Sequence, residues 1–130
     1  MTKFQGILHI TWIVSNLERA RRFYEGVLGL RPDESRPDLG FPGAWYVLES
    51  GQQIHIMELP NPDPANGRPV HGGRDRHVAL AVDDVEVMAL VLDGAGVPFT
   101  RSRSGRPALF VRDPDGNTFE LVEVVNSISH

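Results

Sequence analysis

The sequence contains no cysteine among its 130 residues. This absence excludes disulfide bonds, thiolate metal ligands and a cysteine nucleophile, and it is typical of proteins from a reducing compartment. No apolar run reaches the length of a membrane span or of a signal peptide. We therefore expect a cytoplasmic protein without a membrane partner.

Basic residues are also fewer than acidic ones: 13 Lys and Arg against 17 Asp and Glu give a formal net charge of −4 at pH 7. Binding to nucleic acid calls for a basic surface, so we do not expect that partner. The hydrophobic share of 41% and the charged share of 23% are ordinary for a globular protein. A chain of this length is predicted to form one domain, built as a whole or from two half-size modules.

The chain does contain an internal repeat. A histidine opens an alternating apolar run in residues 9–16 and again in residues 77–84, 68 positions later. Bulky apolar residues occupy equivalent positions in the two runs, and each run ends in polar residues typical of a helix N-terminus. Because a repeat fixes the architecture, we expect two similar modules at about residues 5–60 and 74–126.

The first module is predicted to have the order β-α-β-β-β. Ser15 is the expected N-cap of its helix, and Glu18 three residues later would complete a capping box. Apolar residues then recur at helical spacing until Gly29. The remaining elements are strands over residues 7–14, 45–48 and 53–59, with a short irregular strand within residues 30–36.

The second module is predicted to repeat this order after a linker, residues 59–73, in which prolines and glycines exclude regular structure. Its helix is expected to begin at Asp83 or Asp84 and to end at Gly94 or Gly96. The predicted strands cover residues 76–82, 98–101, 108–112 and 118–125, and an Asp-Pro-Asp-Gly-Asn turn precedes the last of them.

Each module places one polar residue on its first strand and one on its last, namely His9 and His55, then His77 and Glu120. Glu120 is expected between apolar neighbours, where an unpaired carboxylate costs several kcal/mol. A divalent metal ion held together with imidazoles would compensate that charge. Single histidines of this kind are more often ordinary surface or core residues, but four equivalent positions favour a metal site. Three histidines and one glutamate leave coordination positions open, which indicates catalysis or ligand capture.

Other polar segments permit two interpretations. The three arginines of the loop at residues 101–106 could clamp a substrate carboxylate or phosphate, although a solvated loop is the simpler interpretation. The loop at residues 37–43, with Phe41, could cover a site or simply connect strands. His71 and His130 are expected in solvent.

Taken together, several motifs resemble the vicinal oxygen chelate superfamily, the group of glyoxalase I, methylmalonyl-CoA epimerase, fosfomycin-resistance enzymes, extradiol dioxygenases and bleomycin-resistance proteins. The resemblance implies an α+β fold in which two βαβββ modules form a cupped mixed sheet around a central cavity. It covers nearly the whole chain. The motifs that carry it are His9, Phe23-Tyr24, Val27-Leu28-Gly29-Leu30, His77, and Asp113-Pro114-Asp115-Gly116-Asn117 followed by Glu120.

The resemblance also implies the site. Its metal ligands correspond to His9, His55, His77 and Glu120, around a divalent ion that could be Fe, Ni, Co, Zn or Mn. The ion would chelate vicinal oxygens of a small-molecule substrate and stabilise an enediolate, with Glu120 and His55 as candidate catalytic residues. Members of this size are usually homodimers. In glyoxalase I and the epimerase the residue matching His55 is generally glutamate or glutamine, so the histidine speaks against a proton shuttle between two carboxylates.

Three functions remain open at this point. The first is a metal-dependent lyase or isomerase similar to glyoxalase I. The second is an extradiol-type, iron-dependent dioxygenase with His9, His77 and Glu120 as its triad and His55 as an acid or base. The third is a non-catalytic small-molecule binding protein of the bleomycin-resistance type, which would not need the four polar positions to be filled.

Overall fold

Each half of the sequence folds into a four-stranded mixed sheet with one main helix in the computed structural model, which describes residues 2–63 and 66–125. The two compact units are Met1–Asp63 and Pro64–His130. The predicted α+β class with two βαβββ modules is confirmed. Among the described residues, no helix combines the length and the apolar character that crossing a bilayer requires.

In the first unit the sheet order is β1-β4-β3-β2, and β1 runs parallel to β4 while the other neighbours are antiparallel. The helix α1 continues into a π-helical turn before the chain enters β2. The elements are β1 His9–Val14, α1 Leu17–Arg21, the π-helical turn Arg22–Val27, β2 Arg31–Pro32, β3 Gly43–Val47 and β4 Gln53–Glu58.

The second unit repeats this topology with the order β5-β8-β7-β6, and its first and last strands are again parallel neighbours. The final strands are antiparallel. The elements are β5 His77–Val82, α2 Val85–Gly94, β6 Phe99–Arg101, β7 Ala108–Arg112 and β8 Thr118–Glu123, preceded by a 3₁₀ turn Gly72–Arg74.

The core of the first unit lies on one face of its sheet, where Tyr24, Tyr46, Ile54 and Ile56 are fully buried. The two tyrosine rings stack at 5.5 Å, and the Tyr46 hydroxyl donates a 2.8 Å hydrogen bond to Glu25. Burial, followed by that contact, raises the pKa of the Tyr46 phenol. Because side chains alternate along a strand, the residues between these core positions point to the opposite face, where the candidate ligands lie.

In the second unit burial does not alternate, because consecutive residues on both faces of β7 and β8 are buried. Leu109, Val111, Phe119 and Leu121 from β7 and β8 are buried together with Leu92 of α2. Full burial of such a side chain contributes about 1.5–3 kcal/mol each.

The helix starts confirm one prediction and correct another. Asp84 caps α2 as expected, and its carboxylate accepts hydrogen bonds from the second and third helical residues. In the first unit the predicted N-cap Ser15 is wrong, because Asn16 caps α1 and accepts a 2.9 Å bond from the Arg19 backbone. Glu58 of β4 accepts the Leu17 N–H at 2.7 Å and so fixes the first helical residue one position later than predicted.

The end of the predicted linker is more ordered than its composition suggests. Residues 72–74 form a 3₁₀ turn, and Arg112 of β7 binds this segment through the Pro69 carbonyl at 2.6 Å and the Asp75 carboxylate at 2.7 Å. Arg68 adds a second 2.8 Å contact to Asp75. These partly buried contacts attach Arg68, Pro69 and Asp75 to β7 within the second unit.

Candidate functional site

In the first unit, the sheet register brings both predicted site residues together. His9 of β1 pairs with Gln53 of β4, so His55 lies two residues further on the same face. The imidazoles of His9 and His55 stack with centroids 4.0 Å apart and planes 9° apart. The Trp45 indole stacks on the opposite face of His55 at 4.5 Å, which fixes the orientation of that ring.

The hydrogen bonds of His55 determine which nitrogen is free. Its Nε2 lies 2.8 Å from the Gln53 side-chain oxygen, while the Gln53 amide nitrogen donates to Asp33 at 3.0 Å. Since an amide oxygen only accepts, Nε2 carries the proton and the lone pair remains on Nδ1. Burial, followed by the charges of His9 and Arg36, lowers the pKa of His55. A neutral imidazole with one nitrogen held by an acceptor is the form that binds a metal ion.

In the second unit, His77 and Glu120 occupy the same register positions. His77 of β5 pairs with Thr118 of β8, and Glu120 lies two residues further on. The Nδ1 of His77 donates a 2.8 Å bond to the Asp75 carbonyl, which leaves the lone pair on Nε2. That atom lies 3.6 Å from Oε1 of Glu120. Two ligands bound at about 2.1 Å to one tetrahedral ion are roughly 3–3.5 Å apart, so the pair fits a shared ion.

Glu120 has a partner that the sequence analysis did not identify. Its side chain is only 7% exposed, and its Oε2 accepts a 2.7 Å hydrogen bond from Nη2 of Arg106. The expectation that a metal must compensate this carboxylate was therefore incomplete, because an arginine does so. The loop at residues 101–106 is largely exposed, in line with the solvated-loop interpretation, although Arg106 also reaches Glu120 and Arg101 pairs with Glu86 at 2.6 Å on the surface.

The prediction that His71 lies in solvent is wrong, because its side chain is partly buried. Its Nδ1 lies 2.8 Å from the Thr100 hydroxyl, and its ring packs edge-on against Phe110 at 5.0 Å. The His77 ring contacts the same Phe110 at 5.1 Å, so Phe110 connects the two imidazoles. This contact depends on the ordered end of the linker, which the composition of that segment does not show. His130 lies outside the described residues.

A cavity of about 440 Å³ opens on the histidine face of the first unit. Leu39 and Phe41 of the loop at residues 37–43 contribute to its wall, so the loop lies beside this cavity, and its role as a cover for a site stays a prediction. The lining consists of His9, Thr11, Arg36, Leu39, Phe41, Trp45, His55 and Met57.

Within each unit the structure thus joins two of the four predicted ligands. The described residues contain no group of three or more histidine, aspartate and glutamate side chains that could hold one ion. The chemistry of the donors fits a divalent metal, since three imidazoles and a carboxylate are nitrogen and oxygen ligands of the usual kind. The four-residue centre itself remains a prediction.

Comparisons with known proteins agree with this architecture. The model of the Glyoxalase/Bleomycin resistance protein/Dioxygenase superfamily matches residues 6–121. The lactoylglutathione lyase of Haemophilus influenzae is 30% identical over 124 residues, which cover 90% of this chain and 91% of that protein. A crystal structure of a glyoxalase family protein from Bacillus anthracis superposes with a TM-score of 0.78 at 26% identity, covering 96% of this chain and 99% of that one.

A further solved structure is similar in fold. It is a variant of the fosfomycin resistance protein FosX from Listeria monocytogenes, in complex with Mn(II) and 1S,2S-dihydroxypropylphosphonic acid. Its TM-score is 0.70 at 24% identity, with 95% of this chain and 96% of that chain covered. Because the superfamily model matches most of the sequence, the chain belongs to the Glyoxalase/Bleomycin resistance protein/Dioxygenase superfamily.

Proposed function

We propose that this protein is a metal-dependent lyase or isomerase of the glyoxalase type that acts on a small substrate with two neighbouring oxygens. One observation carries the proposal. In both units a histidine begins the first strand, and a second metal-binding side chain lies two residues beyond its register partner on the last strand. Equivalent positions in two repeats are hard to reconcile with four unrelated surface residues.

The hydrogen bonds behind the histidines support a role as ligands. His55 and His77 each donate one ring N–H to an oxygen that can only accept, and each keeps its other nitrogen free. Metal-bound histidines show this arrangement, because the second bond fixes the tautomer and the ring orientation. We propose that His9, His55, His77 and Glu120 hold one divalent ion, with the two pairs coming from one chain or from two.

The proposed chemistry assigns a role to each side chain. When bound, the ion would stabilise negative charge that develops on the substrate oxygens. Glu120 can accept a proton at Oε1 while Arg106 holds Oε2. His55, whose pKa is lowered, is neutral near pH 7, and where its Nδ1 does not bind the ion that atom can accept a proton instead. Glu120 and His55 are therefore the candidate bases.

The comparisons support the same reaction class. Lactoylglutathione lyase is the name of the Haemophilus influenzae relative, and Mn(II) is present in the FosX structure. The metal of this chain could be Fe, Ni, Co, Zn or Mn. We also propose a cytoplasmic homodimer, which size-exclusion chromatography with light scattering would detect as twice the chain mass of 14.4 kDa.

An iron-dependent dioxygenase is the second candidate. The His55 ring is stacked between two other rings and hydrogen-bonded to Gln53. The side chains of His9, His77 and Glu120 are not enclosed between two rings in this way. These three form the donor set of a two-histidine, one-carboxylate triad, with His55 beside it as an acid or base.

Elemental analysis of the purified protein tests the proposal, followed by assays of the metal-loaded protein. Loss of a methylglyoxal–thiol adduct would support the lyase, and oxygen uptake with catechols would support the dioxygenase. Glu120→Gln and His55→Ala should lose metal, while the exposed Glu86→Gln should retain it. A folded protein that binds no divalent ion when one is supplied would overturn both enzymes and leave a binding protein.

A further inference from the structure

Among the described residues that line the cavity of the first unit, Arg36 carries a fixed positive charge and none is an aspartate or a glutamate. Among the described residues, no carboxylate forms an ion pair with the Arg36 guanidinium. A partly buried cation without a counter-ion is unfavourable, so the charge calls for an anionic ligand.

Arg36 is held in position by contacts on two sides. Its Nη2 donates a 3.1 Å bond to the Phe41 carbonyl, and its guanidinium carbon lies 5.3 Å from the centre of the Phe41 ring. At Gly43 a Cβ atom would come within 2.7 Å of Nη2, so the absent side chain leaves room for the guanidinium. The Arg36 Nε is buried and has no hydrogen-bond partner. The group is therefore preorganised and only partly satisfied.

The rest of the lining is mostly aromatic and apolar. The rings of Trp45, His55 and His9 form a column of parallel planes with spacings of 4.5 and 4.0 Å. Phe41 and Met57 add apolar surface. A lining of aromatic and apolar side chains favours an aromatic ligand, and His9 and His55 belong to the same lining.

From this combination we infer that the cavity takes an aromatic carboxylic acid, with the ring among the aromatic side chains and the carboxylate at Arg36. The inference rests on the proposed function, because the same ligand would present its neighbouring oxygens to His9 and His55. It narrows the substrate class to aryl acids with an oxygen next to the carboxylate.

Binding to the purified full-length chain tests this inference directly. Phenylglyoxylate carries the ring, the carboxylate and an adjacent oxygen, while 1-phenylpropane-1,2-dione lacks the charge and pyruvate lacks the ring. Isothermal titration calorimetry in EDTA, and again after metal loading, should show phenylglyoxylate binding about tenfold more tightly than either control. This comparison uses only the unaltered protein and does not depend on the folding of a variant.

Substitutions of single arginines then test whether Arg36 is the positive charge that binds the carboxylate. Arg36→Gln should weaken phenylglyoxylate binding about tenfold and abolish the preference over the neutral dione. Arg36→Lys should restore part of that preference. Arg31→Gln, an exposed arginine of β2 outside the cavity lining, removes the same charge and should change nothing.

The outcomes separate this inference from the proposed function. Equal binding of acid and dione, or an acid affinity that is unchanged in Arg36→Gln, would overturn the inference even if the protein binds metal and acts as a lyase. Absence of binding by every aromatic probe would also overturn it. Selective binding of phenylglyoxylate in a protein that takes no metal would support the inference and overturn the proposed function.

Discussion

Arg106 donates a 2.7 Å hydrogen bond to Glu120, although 58% of the Arg106 side chain is exposed and only 7% of the Glu120 side chain is. The arginine can therefore leave the pair towards solvent, while the carboxylate cannot. A divalent ion at His77 and Glu120 would meet the same carboxylate that Arg106 now neutralises. Since the ion would contact Oε1 and Arg106 holds Oε2, we expect the two cations to compete for the charge of Glu120 rather than for one oxygen.

Removal of this arginine should have opposite effects on the metal-free and metal-loaded protein. In Arg106→Gln the buried carboxylate loses its partner, so the metal-free protein should be less stable by about 1 kcal/mol. Added divalent ion should then raise the melting temperature more than it does in the unaltered protein. Circular dichroism melts with EDTA and with metal measure both effects. Arg103→Gln, an exposed arginine of the same loop, is the control, and equal metal-induced shifts in the two variants would contradict the competition.

Loss of the acceptor behind His55 should weaken metal binding. Gln53→Ala removes the oxygen that holds Nε2, so the tautomer and ring orientation are no longer fixed. Affinity should fall about 10- to 100-fold, as for other partners of metal-bound histidines. The neighbouring Gln52→Ala, which removes exposed contacts to the Ile7 carbonyl and the Ser50 hydroxyl but none to His55, is the matched control in calorimetric titrations. Unchanged affinity in Gln53→Ala would exclude His55 as an oriented ligand.

Acid should destabilise the metal-free protein through His55. Its pKa is lowered in the folded state, so the unfolded chain binds the proton more tightly. Stability is therefore retained above the ordinary value of 6.5 and falls as the pH drops below it, by up to about 1.4 kcal/mol per pH unit for one proton. Urea unfolding at pH 7, 6 and 5 measures this slope, and His55→Gln should flatten it. An identical slope in the variant would show that another group is responsible.

We expect that no side chain fits at Gly72, because Thr118 and Phe110 fill the space next to it. A Cβ there would lie 2.7 Å from the Thr118 methyl carbon and 3.1 Å from Cβ of Phe110. Gly72→Ala should therefore cost about 1–3 kcal/mol of unfolding free energy through overpacking. Gly94→Ala at the end of α2 meets nothing within 4 Å and should be neutral or stabilising by up to about 1 kcal/mol. Equal stabilities of the two variants in urea would contradict the close packing of Gly72.

The strands, and the adjacency of the candidate residues within each unit, follow from the sequence because both depend on periodicity and repetition. His9 with His55 and His77 with Glu120 follow from alternation along strands, and the register brings each pair together. Arg106 was not predicted as a partner of Glu120, because a contact across 14 residues depends on how a long side chain folds back over β7 and β8.

The helix cap and the environment of His71 could not be predicted from the sequence, because both depend on contacts between residues that are distant in the chain. Ser15 and Asn16 are both good caps, and the choice between them is made by Glu58, which lies 41 residues away from Leu17. The environment of His71 depends on Arg112, which binds the linker from a strand that comes 43 residues after Pro69. Local patterns contain neither contact.

In both units a glutamate of the last strand accepts a hydrogen bond from the first residue of the helix. Glu58 accepts the Leu17 N–H, and Glu123 accepts the Val85 N–H at 3.1 Å. Each half thereby locks its own helix to its own last strand. The internal repeat therefore extends beyond the strands to the attachment of each helix. His55 and Glu120 are equivalent positions at which the two units differ in chemistry although their backbone contacts are alike.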